Sequence, residues 1–103
     1  MAPLPRTFTV EVPDIGTFTF RKRTYRVQAA IEAEAIRATK GPTEDVGLAQ
    51  AIFDFITLEQ MTVEAPQGWI LEDLDPAWPE DQAKLRKVME ALRDAEARFR
   101  GRP

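Results

Sequence analysis

The sequence predicts an α+β fold that is mainly α, with an N-terminal β-hairpin packed on about three helices. Three observations support it. Residues 6–22 alternate apolar and polar side chains on either side of a turn, later stretches repeat apolar residues at three- and four-residue steps, and proline, glycine and capping residues punctuate the joins. At 103 residues the chain suits a single domain, 1–103, large enough to bury a core and too short for two.

In 6–12, Phe8, Val10 and Val12 share one face and Thr7, Thr9 and Glu11 the other, as in a half-buried strand. Pro13-Asp14-Ile15-Gly16 supplies the turn, because proline sets its own φ and glycine accepts conformations other residues resist. Thr17-Phe18-Thr19-Phe20-Arg21 alternates again, and the pair makes a hairpin over 6–22. A lone hairpin is marginal in water, so its Phe and Val face must lie on helices.

Thr24 suits the cap of a helix over about 24–40, where Val27, Ala30, Ile31, Glu34, Ala35 and Ala38 recur at helical spacing until Gly41-Pro42 stops it. This stripe is alanine-rich and shallow. Thr43, Glu44 and Asp45 open a second helix, about 44–60, with acidic groups suited to the helix dipole. Its wide apolar face of Leu48, Ala49, Ile52, Phe53, Phe55 and Ile56 marks it as the central helix. Beyond Met61 the period is lost and Pro66-Gln67-Gly68 breaks the chain, so 63–78 reads as an irregular acidic loop. Pro79, followed by Glu80 and Asp81, starts a final helix over 79–100, with Leu85, Val88, Met89, Leu92, Ala95 and Phe99 in one stripe.

Composition bounds the function. Without cysteine there are no disulfides, thiolate nucleophiles or cysteine-held zinc. Without histidine the commonest general acid–base is missing, and there is no serine to act as a nucleophile. Four lysines, one tyrosine and the carboxylates are what remains, so neither catalysis nor a cofactor or metal is expected. No apolar run approaches a membrane span and residues 1–6 do not resemble a secretory signal, which leaves a cytoplasmic protein with no membrane partner as the expectation.

The net charge of −3 conceals three blocks. Residues 1–40 carry seven basic and four acidic groups, 41–83 carry ten acidic groups and no basic one, and 84–103 carry seven basic and three acidic groups. Either the basic ends fold over the acidic middle and neutralise it through surface pairs, or the acidic segment faces a basic partner and steers its approach.

Arg21, Lys22, Arg23 and Arg26 around Tyr25 are the one cluster suited to phosphates and a base. The helices at 24–40 and 44–60 could mimic a helix-turn-helix, but the would-be recognition helix carries no Lys or Arg and would be repelled from a DNA groove, so no nucleic-acid partner is expected. Glu72, Asp73, Asp75, Glu80 and Asp81 lack the glycine and spacing of a calcium loop and read as a solvated, partner-facing acidic patch. Trp69 and Trp78 either anchor a partner or pin their loop to the core. The 85–99 stripe reads first as core and second as a docking helix.

The segment Val12-Pro13-Asp14-Ile15-Gly16-Thr17-Phe18-Thr19-Phe20-Arg21, the Ile31-Glu32-Ala33-Glu34 helix, Leu58-Glu59-Gln60-Met61-Thr62-Val63-Glu64-Ala65-Pro66, Gly68-Trp69 and Ala95-Glu96-Ala97-Arg98-Phe99 follow one another over most of the chain. In that order they resemble the small tail assembly chaperones of long-tailed bacteriophages and prophages. The resemblance implies a non-enzymatic cytoplasmic protein that keeps the long helical tape-measure protein soluble and recruits tail-tube protein during tail assembly. Some relatives look almost wholly helical, and the hairpin here departs from that pattern. Candidate contacts for a helical client are Phe53, Phe55, Trp69, Trp78 and Phe99, whichever are exposed, and the chain could also bind a second copy of itself. The alternatives are an acidic adaptor or regulatory domain that captures basic proteins, and a structural tail or head-completion subunit.

Overall fold

Strand β1 (Thr7–Val12) and strand β2 (Gly16–Arg21) pair antiparallel with Phe8 opposite Phe20 and Val10 opposite Phe18. The alternation becomes two faces: Val10, Val12, Phe18 and Phe20 are buried, while Thr7, Thr9, Glu11 and Thr17 face outward. In this computed structural model the described residues are 7–38 and 45–100, less the side chains of residues 99 and 100. At the hairpin tip the Ile15 amide donates to the Val12 carbonyl at 3.1 Å and Asp14 takes a φ of 68°, a left-handed conformation Asp tolerates better than most residues. Gly16 has a φ of 138°, and a Cβ there would lie 2.5 Å from the Cβ of Pro66, so both the backbone and the close approach of the neighbouring loop require glycine.

Helix α1 (Tyr25–Ala38) begins where expected, with the Thr24 hydroxyl accepting from the Val27 amide at 3.2 Å; residues 39 and 40 of the predicted span lie outside the described residues. Helix α2 (Val46–Met61) starts two residues later than predicted. Asp45 lies before the helix as its cap, with a carboxylate oxygen accepting from the Leu48 amide at 2.9 Å; Thr43 and Glu44 lie outside the described residues. Helix α3 (Pro79–Arg100) matches its predicted span, since a proline costs nothing at the first helical position.

The predicted irregular stretch 63–78 is corrected at its start. Strand β3 (Thr62–Glu64) follows α2 directly and pairs antiparallel with β2, so the hairpin is two-thirds of a sheet ordered β1-β2-β3. Its register places Thr62 opposite Phe20 and Glu64 opposite Thr19, leaving Val63 as the bulged residue. A 3-10 turn at Leu71–Asp73 interrupts the rest of the loop.

The core joins the sheet's inner face to Ile31 of α1, to Ala51, Ile56, Leu58 and Met61 of α2, and to the predicted α3 stripe of Leu85, Val88, Met89, Leu92 and Ala95. Burying each large apolar side chain contributes about 1.5–3 kcal/mol. Helix α2 touches both α1 and α3, as a central helix must, yet its most buried positions are Ala51, Asp54, Ile56, Thr57, Leu58 and Met61. Most of the face predicted to be buried (Leu48, Ala49, Ile52, Phe53 and Phe55) is only half-buried, because a helix apolar nearly all round offers no single stripe and its neighbours decide which side is covered. Among the described residues no helix is long and apolar enough to cross a membrane.

Candidate functional site

Helix α3 runs between two contrasting ends of the protein. Near its C-terminus, the Arg23 guanidinium donates from Nε to Glu96 Oε2 at 3.0 Å and from Nη2 to Glu96 Oε1 at 2.9 Å, while Nη1 donates to Gln28 Oε1 at 2.9 Å. This fork ties the β2–α1 connection to α1 and α3. The side chains of Arg23 and Glu96 are 16% and 11% exposed, so the pair is stronger than a surface contact. Arg23 therefore leaves the basic cluster in which the sequence placed it and serves the fold.

Beside this fork lies an open cleft of about 260 Å³ lined by Arg23, Gln28, Phe53, Thr57, Met89, Arg93 and Glu96. Its polar groups are largely committed to one another. The Thr57 hydroxyl donates to the Phe53 carbonyl at 2.8 Å, and Arg93 lies 3.8 Å from Asp54, whose Oδ1 accepts from Gln50 Nε2 at 2.9 Å. Asp54 is buried, and that burial pushes its carboxyl above the ordinary range against the opposing pull of the Gln50 bond and the Arg93 and Arg86 charges. The sequence offered no local signal for Asp54, Arg93 or Glu96 as interacting groups, because Glu96 meets a residue 73 positions away and Asp54 sits within an apolar run.

The other end is the loop from β3 to α3. Trp69 packs its ring edge on Phe18, with centroids 5.2 Å apart and planes at 82°, and Phe18 in turn stacks on Phe20 at 5.6 Å. Trp69 thus pins the loop to the sheet, as one of its two readings required. Past it the loop turns outward, and Ile70 and Trp78 are 56% and 57% exposed. Asp75 and Asp81 shape the turn: Asp81 Oδ2 accepts from the Asp75 amide at 2.8 Å and Asp75 Oδ1 from the Ala77 amide at 2.9 Å. Glu72, Asp73 and Glu80 point to solvent.

The five candidate contacts are thereby separated. Trp78 is exposed, Trp69, Phe53 and Phe55 are packed part-buried against the core, and the side chain of Phe99 lies outside the described residues. Of the five acidic residues, Asp75 and Asp81 hold the loop, while Glu72, Asp73 and Glu80 are exposed.

Among the described residues one ion pair, Arg93 to Asp54, joins the acidic middle block to a basic one. Ion pairs join Arg23 to Glu96, Lys87 to Asp14 at 3.2 Å, Arg93 to Asp54 and Arg37 to Glu34. Among the described residues Glu72, Asp73, Asp75, Glu80 and Asp81 form no ion pair, and neither do Arg21, Lys22 and Arg26. Nor does any group of three or more carboxylates among the described residues have the arrangement to hold a metal ion. Compared with models of known families, with curated proteins and with solved structures, the chain matches none.

Proposed function

We propose that this chain is a non-catalytic, cytoplasmic protein-binding domain that docks a basic, amphipathic helical client on its acidic, aromatic end. The observation carrying this reading is that Ile70 and Trp78 are half-exposed on a segment whose carboxylates have no ion-pair partner among the described residues. Tryptophan is a frequent anchor of protein interfaces, and unpaired charge around it raises the encounter rate with a partner of opposite sign. A client helix with an apolar stripe flanked by Lys and Arg meets both demands.

Among roles for such a domain, the resemblance to tail assembly chaperones favours one in phage tail assembly. The client would be the tape-measure protein, with tail-tube protein as a second partner. Co-expression with the long helical protein encoded beside this chain tests it: the client should become soluble and co-purify, and Trp78→Ala together with Glu72→Lys and Glu80→Lys should release it. A client that stays insoluble and never co-purifies overturns the chaperone role. Finding the chain in purified virions by mass spectrometry would instead make it a structural subunit.

A further inference from the structure

We infer that the chain associates head to tail with a second copy of itself, the basic end around Tyr25 of one copy seating on the acidic end around Trp78 of the next. Tyr25 is 87% exposed at the start of α1, and Arg21, Lys22 and Arg26 near it in sequence are exposed and have no ion-pair partner among the described residues. At the other end Ile70 and Trp78 are exposed on the segment that carries Glu72, Asp73 and Glu80, which likewise have no ion-pair partner among the described residues. Three exposed cations flanking one exposed aromatic in sequence are thus matched, within one chain, by three exposed carboxylates on the segment that carries another.

Geometry prevents a single copy from using that complementarity. Glu96 is fixed against Arg23 beside the basic end, and Pro79 begins α3 at the acidic end. From Pro79 to Glu96 a helix rises about 25 Å, against a screening length of about 10 Å in 0.1 M salt. Among the described residues no ion pair joins the two ends, and both are offered to another molecule. In contact, the Arg and Lys side chains meet carboxylates and can also lie over the Trp78 ring, while Tyr25 covers Ile70. Because the two surfaces differ, the contact is heterologous, and it propagates into an open chain or a ring instead of stopping at a dimer.

This inference rests on the acidic end being a docking surface, and it makes a second copy and a client competitors for it. Sedimentation of the purified chain alone tests it. At about 20 mM salt the mass should climb past that of a dimer as concentration rises, and about 500 mM salt should return it to the monomer. The triple variant Arg21→Glu, Lys22→Glu, Arg26→Glu has two acidic ends, and Glu72→Lys, Asp73→Lys, Glu80→Lys has two basic ones. Each should be monomeric alone, and mixing them should restore association. If a reversed variant loses its helical circular dichroism, Arg21→Gln, Lys22→Gln, Arg26→Gln replaces it and should likewise be monomeric. A wild-type chain monomeric at every concentration in low salt, variants that associate like wild type, or a mixture that stays monomeric would each overturn the inference. The basic-end variant keeps its acidic end, so it should still bind a client; if it does while wild type never self-associates, the client reading stands and this one falls.

Discussion

The two ends of α3 carry similar charges and put them to opposite use. At one end Arg23 and Glu96 are largely shielded from water and locked in a two-bond fork, and towards the other Glu72, Asp73 and Glu80 stand in solvent on the segment that carries the exposed Trp78. The difference lies in what folding brings opposite each charge. The β2–α1 connection carries an arginine across to α3, whereas the carboxylates of the loop before α3 meet no ion-pair partner among the described residues. A charge supplied with a partner becomes part of the fold, and a charge without one remains available to another molecule.

The largest expected effect comes from severing the loop from its support. Phe18→Ala removes the platform under Trp69 and leaves a cavity in the sheet, and should cost about 3–5 kcal/mol in urea unfolding while shifting Trp69 fluorescence. Breaking the fork comes next. Glu96→Ala leaves the Arg23 guanidinium part-buried without its carboxylate and should cost about 2–3 kcal/mol, and Arg23→Lys should recover little because a lysine cannot make the two-bond contact.

Asp54 sharpens the comparison, being a buried carboxylate that accepts from Gln50 but whose ion pair, with an arginine at 3.8 Å, is loose. Its carboxyl is pushed up by burial, so the folded state holds the proton more tightly than the unfolded chain does. The stability contributed by that proton is full below the ordinary carboxylate pKa of about 4 and is lost as pH rises through the folded value. At neutral pH the ionised Asp54 is a cost. Asp54→Asn, which keeps an oxygen for Gln50, should be at least as stable as wild type at neutral pH, and the two should converge as the medium is acidified, both read from denaturant midpoints. The smallest effect on stability belongs to the open end. Trp78→Ala and Glu80→Lys should each move it by less than about 0.5 kcal/mol while weakening client capture, a separation that Glu96→Ala should reverse.

Much of the fold was legible because its signals are local. The hairpin and α3 each announce themselves by a period, a turn or a proline within a few residues, and Thr24 capped its helix as its chemistry suggests. Strand β3 was not legible, because three residues continuing from a helix carry no alternation of their own and become a strand only by pairing with β2. The buried side of α2 was hidden for the opposite reason, an excess of apolar residues. At the candidate site, the acidic patch and Trp78 could be named from the sequence, whereas its emptiness of partners could not.

By itself the sequence determined the strand and helix periods, the absence of histidine, cysteine and serine, and the segregation of charge into blocks, all of which are properties of neighbours along the chain. Tertiary structure alone decided which charges remote in sequence pair. It brought Glu96 to Arg23 across 73 positions, buried Asp54, and turned Trp69 inward and Trp78 outward. Pairing depends on distances of a few ångströms between residues remote in sequence, and those distances exist only once α3 has packed across the sheet.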